Sequence, residues 1–589
     1  MCGIIGYIGE RNASPILFEA LRRMEYRGYD SAGIATFDDN FIIKKGIGKI
    51  SDLDKELNFR EMQGTAGMGH TRWATHGGVT KENAHPHWSC RGEVVIVHNG
   101  IIENYSGLRE FLSSRGHKFT SSTDSEVIAH LLEEAMKNHQ DLKSAALSVV
   151  ASLKGSYAFL AMTRSKPDTI IGARKDVPLI VGIGRGENFL SSDVFGFIDR
   201  TNQAIFMDNK EIALVTKDQV EFFDFTGKSI SKKPATVAWE VSDFSKKEFL
   251  HFTLKEIHEQ PLAIRQTLSQ EVEAVREFAS LILRAKNLFI TGCGTSFHAA
   301  LLMKYLLARK AKIRSEVFLS SEIEHQKYLM DGDSVLLAIS QSGETADVLS
   351  AVSEAKSRGV KVISIANVMG CSLARESFKT LYTRCGPEIG VAATKSFTSQ
   401  VALLYLIASE ACSDLAMRKF LIESPDYVEQ ALEFEARVQE IAYKYMNAND
   451  FYFVGRGDHY PIALEGALKL KELSYVHAEG MAAGEFKHGT LALVEKGTPV
   501  VLMNPPDETY VQTLNNAMEL KARGASVIGI STRPNACYDD FLQIPELPTG
   551  ILYPIVESVP LQMLAYFSAI GRKLDPDYPR NLAKSVTVI

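Results

Sequence analysis

The chain has 589 residues, more than one ordinary hydrophobic core can organise, and this length predicts two to four domains. Its 45% hydrophobic and 23% charged residues are typical of a soluble globular protein, and no apolar run is long enough to span a membrane. The net charge of −6, with basic residues scattered along the chain, argues against nucleic acid or a membrane surface as a partner.

The seven cysteines indicate a reducing environment. Their number is odd and no CxxC pair occurs, so the sequence suggests neither a disulfide framework nor a thiolate zinc site. The beginning of the chain lacks the basic region and apolar core of a secretory signal. We therefore expect a cytoplasmic protein.

Residues 1–240 are predicted to form a layered α+β domain with mostly antiparallel sheets. Short β-branched and aromatic runs alternate there with Gly, Asn and Asp, a pattern that favours strands and turns. The predicted strands include "GIIGYI", "AGIATF", "FIIKKG", "EVVIVHNG", "YAFLAM" and "IALVT". Apolar residues at helical spacing predict helices over "ASPILFEALRRM" and "SEVIAHLLEEAMKNH".

Cys2 stands directly behind the initiator methionine and ahead of the first predicted strand. Removal of Met1 would give Cys2 a free α-amino group, with a reference pKa of about 7.7–8.0. Such an amine can act as general base for its own thiol, as in N-terminal nucleophiles. The alternative is a small cysteine buried in a first strand, with a packing role only.

Three other features of this domain allow both a chemical and a structural interpretation. Arg72 in "HTRWATHG" can bind a carboxylate through two hydrogen bonds. Asn99-Gly100, at the end of an apolar run, is either a hairpin turn or a pair of oxyanion donors. Asp124 in "STDSEV" either caps the following helix or binds a substrate amine.

Beyond a polar segment, assigned as a linker at 241–270, the pattern changes to alternating strands and long helices. This pattern predicts parallel sheets. The second half also repeats itself: "LFITGCGTSFHAALLMKYLL" has a counterpart in "FYFVGRGDHYPIALEGALKLKEL", and "SRGVKVISIA" in "ARGASVIGIS". We predict two tandem doubly wound α/β domains at 271–425 and 426–580, followed by a C-terminal tail at 581–589.

A candidate phosphate site lies in the first repeat. "SQSGET", Ser340 to Thr345, joins a predicted strand to a helix and offers backbone N–H groups and hydroxyls to an anion. A hydroxyl-rich capping loop is the alternative. The second repeat has "NPPDET" there, which lacks two N–H donors and adds a carboxylate, so one phosphate site is preferred. Thr295 and Ser296 in "GCGTS" are expected at the same sheet edge.

The helix "ALEGALKLKEL" carries a candidate acid–base face. Glu465, Lys469 and Glu472 fall at i, i+4 and i+7, on one side of the helix. Two carboxylates flanking an amine can move protons between adjacent sugar carbons, but the spacing alone favours a solvated Glu–Lys pair. His488, in a Gly-flanked loop, and Lys584, near the chain end, would ordinarily be surface residues.

Several motifs together resemble the isomerizing glutamine–fructose-6-phosphate aminotransferase family over nearly the whole chain. The first half contributes Cys2-Gly-Ile, "YRGYDSAG", "HTRWATHG", "NAHPH", "VHNGIIEN" and "TDSEV". The second half contributes "CGTS", "SQSGETAD", "EIGVAATK", "GRGDHYPIALEGALKLKE", "AAGEFKHG" and "NLAKSVTV". The resemblance implies an N-terminal-nucleophile glutaminase domain followed by two sugar-isomerase domains.

The resemblance also implies roles for the candidate residues of the glutaminase domain. Cys2 attacks the glutamine amide, and Asn99 with Gly100 stabilises the oxyanion. Arg72 and Asp124 bind the α-carboxylate and α-amine of glutamine. Trp73, Thr75 and His76 lie in the loop that closes over glutamine, with Trp73 gating ammonia.

In the second half, the resemblance implies that Glu472 moves a proton between sugar C1 and C2 and that Lys469 supports it. Lys584 forms an imine with the ketose, and His488 assists ring opening from the partner subunit of a homodimer. The sugar phosphate is expected to bind Thr295, Ser296, Ser340, Gln341, Ser342 and Thr345.

The implied reaction converts glutamine and fructose 6-phosphate into glucosamine 6-phosphate, the first committed step of amino-sugar synthesis, with internal transfer of ammonia. No metal or other cofactor is expected, because Pro86 constrains the His85–His87 pair and no metalloprotease spacing occurs. Two alternatives stay open: another phosphosugar or a fructosyl-amine as acceptor, and a phosphosugar-binding regulator. The compact interdomain segment leaves feedback by a nucleotide sugar in doubt.

Overall fold

A computed structural model describes residues 2–74, 76–237 and 245–587. The chain separates into two compact units. Unit 1 comprises Met1–Ser245 with the tail Ala583–Ile589, and unit 2 comprises Lys246–Leu582.

Unit 1 is built on two antiparallel sheets, and its strands follow in chain order. They are β1 Gly3–Gly9, β2 Ser31–Asp38, β3 Asn40–Ile47, β4 Ala66–Arg72, β5 His87–Trp88, β6 Val94–Ile102, β7 Gly155–Thr163, β8 Lys166–Lys175, β9 Ile180–Ile183, β10 Glu187–Ser191, β11 Gln203–Phe206, β12 Glu211–Val215, β13 Val220–Asp224, β14 Ser229–Ile230 and β15 Ala235–Thr236. One sheet has the order β15-β11-β9-β10-β1-β4-β2-β3, and the other β14-β13-β12-β8-β7-β6-β5.

The helices of unit 1 cover the outer faces of the two sheets. They are α1 Ala13–Arg23, α2 Ile50–Leu57, α3 Tyr105–Ser114, α4 Glu126–Asn138 and α5 Leu142–Ser152. Helix α1 packs on β1 and β4, and α4 and α5 pack on the sheet that contains β6 to β8. The result is the predicted layered α+β domain.

Strand β6 shows why the two sheets stack. Val95 and Val97 point into the core between the sheets, and Val94 and Ile96 point into the core beneath α4 and α5. Because successive side chains of a strand face opposite sides, a continuous apolar run buries both faces. This burial accounts for the run "VVIV" before the candidate residues Asn99 and Gly100.

Unit 2 contains ten strands and thirteen helices in the part of the chain that the structure describes. The strands are β16 Asn287–Gly292, β17 Ser315–Leu319, β18 Ser334–Ile339, β19 Lys361–Ala366, β20 Lys379–Tyr382, β21 Asp450–Gly455, β22 His477–Ala482, β23 Pro499–Met503, β24 Ser526–Ser531 and β25 Asp540–Gln543. The helices are α6 Phe252–His258, α7 Gln260–Leu268, α8 Val272–Arg284, α9 Thr295–Leu306, α10 Ile323–Gln326, α11 Ala346–Ser357, α12 Ser372–Glu376, α13 Lys395–Ala411, α14 Leu415–Leu432, α15 Glu435–Tyr445, α16 His459–Ser474, α17 Tyr510–Lys521 and α18 Tyr553–Gly571.

The ten strands form two parallel sheets of the same topology. Their orders are β17-β16-β18-β19-β20 and β22-β21-β23-β24-β25, so the strands of one sheet correspond one by one to those of the other. In each sheet the first strand leads directly into a helix, α9 or α16. The expectation of two tandem doubly wound domains is therefore confirmed.

Helices α13 and α18 form much of the core of unit 2. Nearly every residue of α18 is buried, including those on the side opposite the sheets, because the two repeats share one hydrophobic cluster. Among the described residues, no helix combines the length and apolar character needed to cross a membrane.

The domain limits expected from the sequence differ from the structure at three places. The segment 241–270 contains α6 and α7, whose Ile257 and Ile264 are buried in the core of unit 2; its polar composition concealed this apolar face. The division at 425/426 falls inside α14, because that helix continues across it. The tail groups with unit 1 from Ala583 onward rather than standing apart.

Candidate functional site

Cys2 lies at the entrance of β1, half-buried, with its sulfur against the backbone of Trp73. The Trp73 N–H donates to Sγ at 3.1 Å, and the thiol lies 3.4 Å from the Trp73 carbonyl. Burial raises the pKa of the Cys2 thiol, whereas the Trp73 N–H and the Arg72 guanidinium act in the opposite direction. The net effect raises the pKa of Cys2, so the thiol needs a base to become the reactive thiolate.

Asn99 and Gly100 lie inside β6, so the hairpin interpretation is wrong. They pair with Ala158 and Tyr157 of β7. Gly100 has a φ of +110°, and a Cβ there would come within 2.1 Å of the Ser156 carbonyl oxygen, so only glycine fits this strand.

The Asn99 side chain is held on both of its polar atoms. Its Nδ2 donates to the Cys2 carbonyl at 2.9 Å, while its Oδ1 lies 3.1 Å from His70 Nε2. Burial lowers the pKa of His70 to about 3, so the ring is neutral and donates from Nε2. This contact fixes the amide so that its N–H group faces the residue that carries the thiol.

Arg72 and Asp124 are buried charged residues, and Arg72 interacts electrostatically with both Cys2 and Asp124. Burial lowers the pKa of Arg72. This effect is opposed by the charges of Cys2, Asp30 and Asp124. The guanidinium donates to the carbonyls of Gly77 and Gly78 at 3.3 and 3.2 Å. A bound carboxylate would have to share or replace these contacts.

Asp124 does not cap helix α4. The N-cap residue of that helix is Ser125, and Asp124 accepts a hydrogen bond from the Ile102 N–H at 2.7 Å instead. One carboxylate oxygen thus fixes the end of β6. The capping alternative is wrong.

The loop after Arg72 carries the other predicted glutamine-binding residues. The Trp73 indole packs edge-on against Tyr29 with ring centroids 5.8 Å apart, and His76 makes a similar contact with Tyr105 at 6.0 Å. Thr75 lies outside the described residues.

In unit 2, helix α16 carries the expected acid–base face, and it is buried rather than solvated. Lys469 Nζ lies 2.6 Å from Glu472 Oε2 and 3.4 Å from Glu465 Oε1, and the Lys469 side chain is only 1% exposed. Burial alone would lower the pKa of Lys469, but the charges of Glu465 and Glu472 raise it. The interpretation as a surface ion pair is wrong.

The two carboxylates of this face differ in their surroundings. Glu465 is 2% exposed and accepts hydrogen bonds from Thr295 at 3.0 Å and from His298 at 2.7 Å. Glu472 retains 21% of its side-chain exposure and pairs with Lys469. Glu472 is therefore the carboxylate available to a substrate, while Glu465 anchors Lys469 and Thr295.

The loop Ser340–Thr345 joins β18 to α11 as predicted. The Gly343 N–H donates to Ser340 Oγ at 3.0 Å, and the Glu344 N–H donates to Ser342 Oγ at 3.2 Å. Ser340 Oγ also lies 3.3 Å from Thr345 Oγ1, at the N-terminus of α11. The Gln341 carbonyl accepts from the Asn367 N–H and holds the loop to the next strand end.

Thr295 and Ser296 form the first turn of α9, after β16 in the same sheet. Lys469 Nζ donates to Thr295 Oγ1 at 3.2 Å, and Gln400 donates to Ser296 Oγ at 3.1 Å. Strands β16 and β18 are neighbours, so this turn and the Ser340–Thr345 loop share one sheet edge. Donors for an anion and the acid–base face thus belong to one region of unit 2.

The corresponding loop of the second repeat is filled by its own ion pairs. His459 lies 2.8 Å from Asp507 and 2.7 Å from Glu557, and all three side chains are buried. Burial alone would lower the pKa of His459, but Glu557 and Asp507 raise it to about 10. Because Asp507 already holds a cation and adds negative charge, this loop is unsuited to a phosphate.

His488 and Lys584 are the two remaining predicted residues. His488 is exposed in a short turn over Phe486–His488, and no hydrogen bond or ion pair joins it to Glu472 within the described ranges. Lys584 belongs to the tail of unit 1, whereas Lys469 and Glu472 belong to unit 2. Their roles stay predictions.

Four supporting residues were not identified from the sequence: His70, His298, Glu388 and Gln400. His70 orients Asn99, and His298 and Gln400 orient Glu465 and Ser296. Glu388 accepts hydrogen bonds from the Thr394 and Ser396 N–H groups at the start of α13. Each acts through another side chain or the backbone, so no spacing pattern in the sequence identifies it. The one available signal was the motif "HTR", which places His70 two residues before the candidate Arg72.

Known protein families match both units. A glutamine amidotransferase domain matches residues 70–194, and the SIS domain matches twice, at residues 281–410 and 444–570. The two SIS matches correspond to the two parallel sheets.

Full-length relatives share the complete arrangement. The chain is 47% identical to a glutamine–fructose-6-phosphate aminotransferase (isomerizing) of Pyrococcus horikoshii and 46% identical to one of Methanothermobacter thermautotrophicus, over 100% of each chain. A relative of the same name from Aquifex aeolicus is 44% identical over 100% of both chains.

Solved structures resemble unit 2. The C-terminal domain of glucosamine-fructose-6-phosphate aminotransferase from Francisella tularensis superposes with a TM-score of 0.53 and 36% identity, covering 57% of this chain and all of that one. The tagatose-6-phosphate ketose/aldose isomerase of Escherichia coli gives a TM-score of 0.50 at 22% identity, over 56% of this chain and 95% of its own. The second likeness concerns the fold alone.

Proposed function

This chain belongs to the isomerizing glutamine–fructose-6-phosphate aminotransferase family, and we propose on that premise that it makes glucosamine 6-phosphate from fructose 6-phosphate and glutamine. Unit 1 hydrolyses the glutamine amide to glutamate and ammonia. Unit 2 binds the ketose phosphate, aminates it and isomerises the product to the aldose.

In unit 1, Cys2 is the nucleophile. With Met1 removed, its α-amine takes the thiol proton, and the thiolate attacks the amide carbon. The Asn99 side chain and the Gly100 N–H stabilise the oxyanion, and the neutral His70 supports Asn99 in that orientation. Arg72 binds the α-carboxylate, Asp124 the α-amine, and Trp73, Thr75 and His76 cover the bound glutamine.

In unit 2, the sugar phosphate binds Ser296 and the hydroxyls and N–H groups of the Ser340–Thr345 loop. Thr295 and Gln341 hold neighbouring parts of this site. Anion binding is supported by the start of α11, whose dipole and free N–H groups favour negative charge.

Glu472 moves the proton between C1 and C2 of the sugar. Lys469 supports it, because its buried ammonium lies 2.6 Å from the Glu472 carboxylate and holds it in place. Lys584 forms the imine with the ketose. His488 assists ring opening from the partner subunit of a homodimer, and its exposure on a single chain is compatible with that role.

Internal transfer of ammonia follows from its chemistry. Free ammonia at neutral pH is mostly protonated and is diluted by water, whereas an enclosed path keeps it reactive. We also propose a cytoplasmic location, because none of the seven cysteines, all of them described by the structure, forms a disulfide. We also propose that the protein has no nucleic-acid partner, because its net charge is −6 and its basic residues are scattered along the chain.

The observation that carries the proposal is the buried Glu465–Lys469–Glu472 face beside Thr295, together with the Ser340–Thr345 loop at the same sheet edge. A phosphosugar-binding regulator needs the loop but has no use for a buried acid–base pair. A glutaminase acting alone needs neither.

The test is a product balance measured by mass spectrometry. With glutamine and fructose 6-phosphate together, glutamate and glucosamine 6-phosphate should form in equal amounts. Cys2→Ala should abolish both products, and Glu472→Gln should abolish the amino sugar only. Glutamate without amino sugar in the wild type would reject fructose 6-phosphate as acceptor, and the same experiment with other ketose phosphates or fructosyl-amines would identify the alternative.

A further inference from the structure

A cluster of metal-binding side chains lies in unit 1, and none of its members belongs to the glutamine site described above. It consists of Cys90, His117, His130 and Glu133. Cys90 is in the turn between β5 and β6, His117 is between α3 and α4, and His130 and Glu133 are on α4. Because the last two are three positions apart, they project from one face of the helix.

The distances between the ligand atoms are those of a tetrahedral metal site. His117 Nδ1 and His130 Nδ1 are 3.2 Å apart, and Cys90 Sγ lies 3.7 and 3.5 Å from these nitrogens. Glu133 Oε2 is 3.3 Å from His117 Nδ1. Bond lengths of about 2.0–2.1 Å to nitrogen and about 2.3 Å to sulfur in a tetrahedron require about 3.4 Å between nitrogens and about 3.6 Å between sulfur and nitrogen.

The far nitrogens of both histidines face carboxylates. His117 Nε2 lies 3.2 Å from Glu134, and His130 Nε2 lies 3.5 Å from Glu126. Ring protons on Nε2, facing these carboxylates, would leave both Nδ1 lone pairs directed at the centre of the cluster. In that tautomer a cation between the two Nδ1 atoms, 3.2 Å apart, would remove their mutual repulsion. A carboxylate behind each ring is the usual arrangement around metal-binding histidines.

The other two ligands are also supported by hydrogen bonds. The Ser89 hydroxyl donates to Glu133 Oε1 at 2.9 Å, which leaves Oε2 directed at the histidines. The Lys118 N–H donates to Cys90 Sγ at 3.1 Å and so fixes the position of the sulfur. Cys90 is exposed while the other three residues are buried, so an ion has a route into the cluster from solvent.

We propose that Cys90, His117, His130 and Glu133 bind one zinc ion that has a structural role. Thiolate, imidazole and carboxylate together suit Zn²⁺ better than hard cations such as Mg²⁺ or Ca²⁺, and two anionic ligands balance its charge. Four protein ligands close the coordination shell, which is typical of structural rather than catalytic zinc. The ion ties the turn at Cys90 and the segment at His117 to helix α4.

This site differs from the expectation of a chain without metal, which rested on the absence of CxxC and HExxH. Only His130 and Glu133 are close in sequence; Cys90 and His117 are 27 residues apart, and His117 and His130 are 13 apart. The folding of unit 1 brings them together.

The test is the zinc content of the purified full-length protein after saturation with zinc chloride and removal of free metal. We expect one zinc per chain in the wild type, and less than a tenth of that in Cys90→Ser and in His130→Ala. The controls are Cys412→Ser, a cysteine of unit 2, and His139→Ala, an exposed histidine at the end of α4; both should retain the zinc.

A second readout excludes variants that lose metal because they fail to fold. Cobalt chloride added to the metal-free wild type should give a sulfur-to-cobalt charge-transfer band, which Cys90→Ser should lack while it keeps a cooperative thermal transition. A chelator should lower the melting temperature of the wild type and leave that of Cys90→Ser unchanged. A wild type without zinc, or equal zinc in wild type and Cys90→Ser, would overturn the proposal.

Discussion

Replacement of Lys469 by methionine tests whether the buried charges of α16 are a working acid–base group. Methionine has nearly the length of lysine but no charge, so the packing is preserved and the ion pairs are lost. At an effective dielectric constant of about 20, Coulomb's law gives about 5 kcal/mol for a contact at the Glu465 distance and about 6 kcal/mol for one at the Glu472 distance. Desolvation of Lys469 offsets part of this sum.

The expected net effect is a loss of about 3–5 kcal/mol in the free energy of unfolding of unit 2, the usual cost of leaving a buried charge unpaired. Formation of glucosamine 6-phosphate should fall by about 10²–10⁴-fold, the range of general acid–base catalysis. Hydrolysis of glutamine by unit 1 should be unchanged, because Cys2 and its partners are in the other unit.

The assays are urea unfolding, product formation and glutamine hydrolysis, each compared with Lys471→Met. Lys471 is exposed on the same helix, so that control should behave as the wild type. An amino-sugar rate within tenfold of the wild type for Lys469→Met would refute the catalytic interpretation. An unchanged unfolding free energy would refute the electrostatic argument.

Three further predictions concern single contacts. Asn99→Ala should lower kcat for glutamine hydrolysis by about 10²–10³-fold and leave the isomerisation of fructose 6-phosphate unchanged, since one oxyanion donor is lost; equal loss in both assays would contradict this. In Gly343→Ala, a Cβ at φ +66° would come within 2.1 Å of Cys371 Sγ. The KM for fructose 6-phosphate should therefore rise at least about tenfold. The control Gly332→Ala, at a position with open space around it, should leave this KM unchanged. The pKa of His459 is raised to about 10 from 6.5, so protonated His459 stabilises the folded protein fully below pH ~6.5 and this stabilisation is lost as the pH rises toward about 10. In urea unfolding, the stability advantage of the wild type over His459→Gln should therefore shrink across that pH range. A constant difference would count against the ion pairs.

Local patterns predicted the elements well where one physical signal dominated. The run "VVIV" indicated β6 because alternate residues enter two cores, and "SVLLAI" followed by Ser340–Thr345 indicated a strand, a loop and a helix. The repeat was detectable because both copies keep the same glycines at their strand ends, and the shared sheet order reflects it.

Other features depend on contacts between distant parts of the chain. The spacing of Glu465, Lys469 and Glu472 gave their common face, but not its burial, which results from packing against α9 and α18. Asn99-Gly100 is typical of a hairpin in isolation, and only its pairing with β7 shows a continuing strand. His70 and His298 orient candidate residues through side-chain contacts for which a sequence has no periodic signal.

The central claim is that one chain couples the two half-reactions. Amide-¹⁵N glutamine and fructose 6-phosphate, incubated with the protein in excess unlabelled ammonium, test this claim directly by mass spectrometry of the amino sugar. Glucosamine 6-phosphate should carry the label, because ammonia passes internally from the glutaminase. Unlabelled glucosamine 6-phosphate, formed together with glutamate, would contradict it.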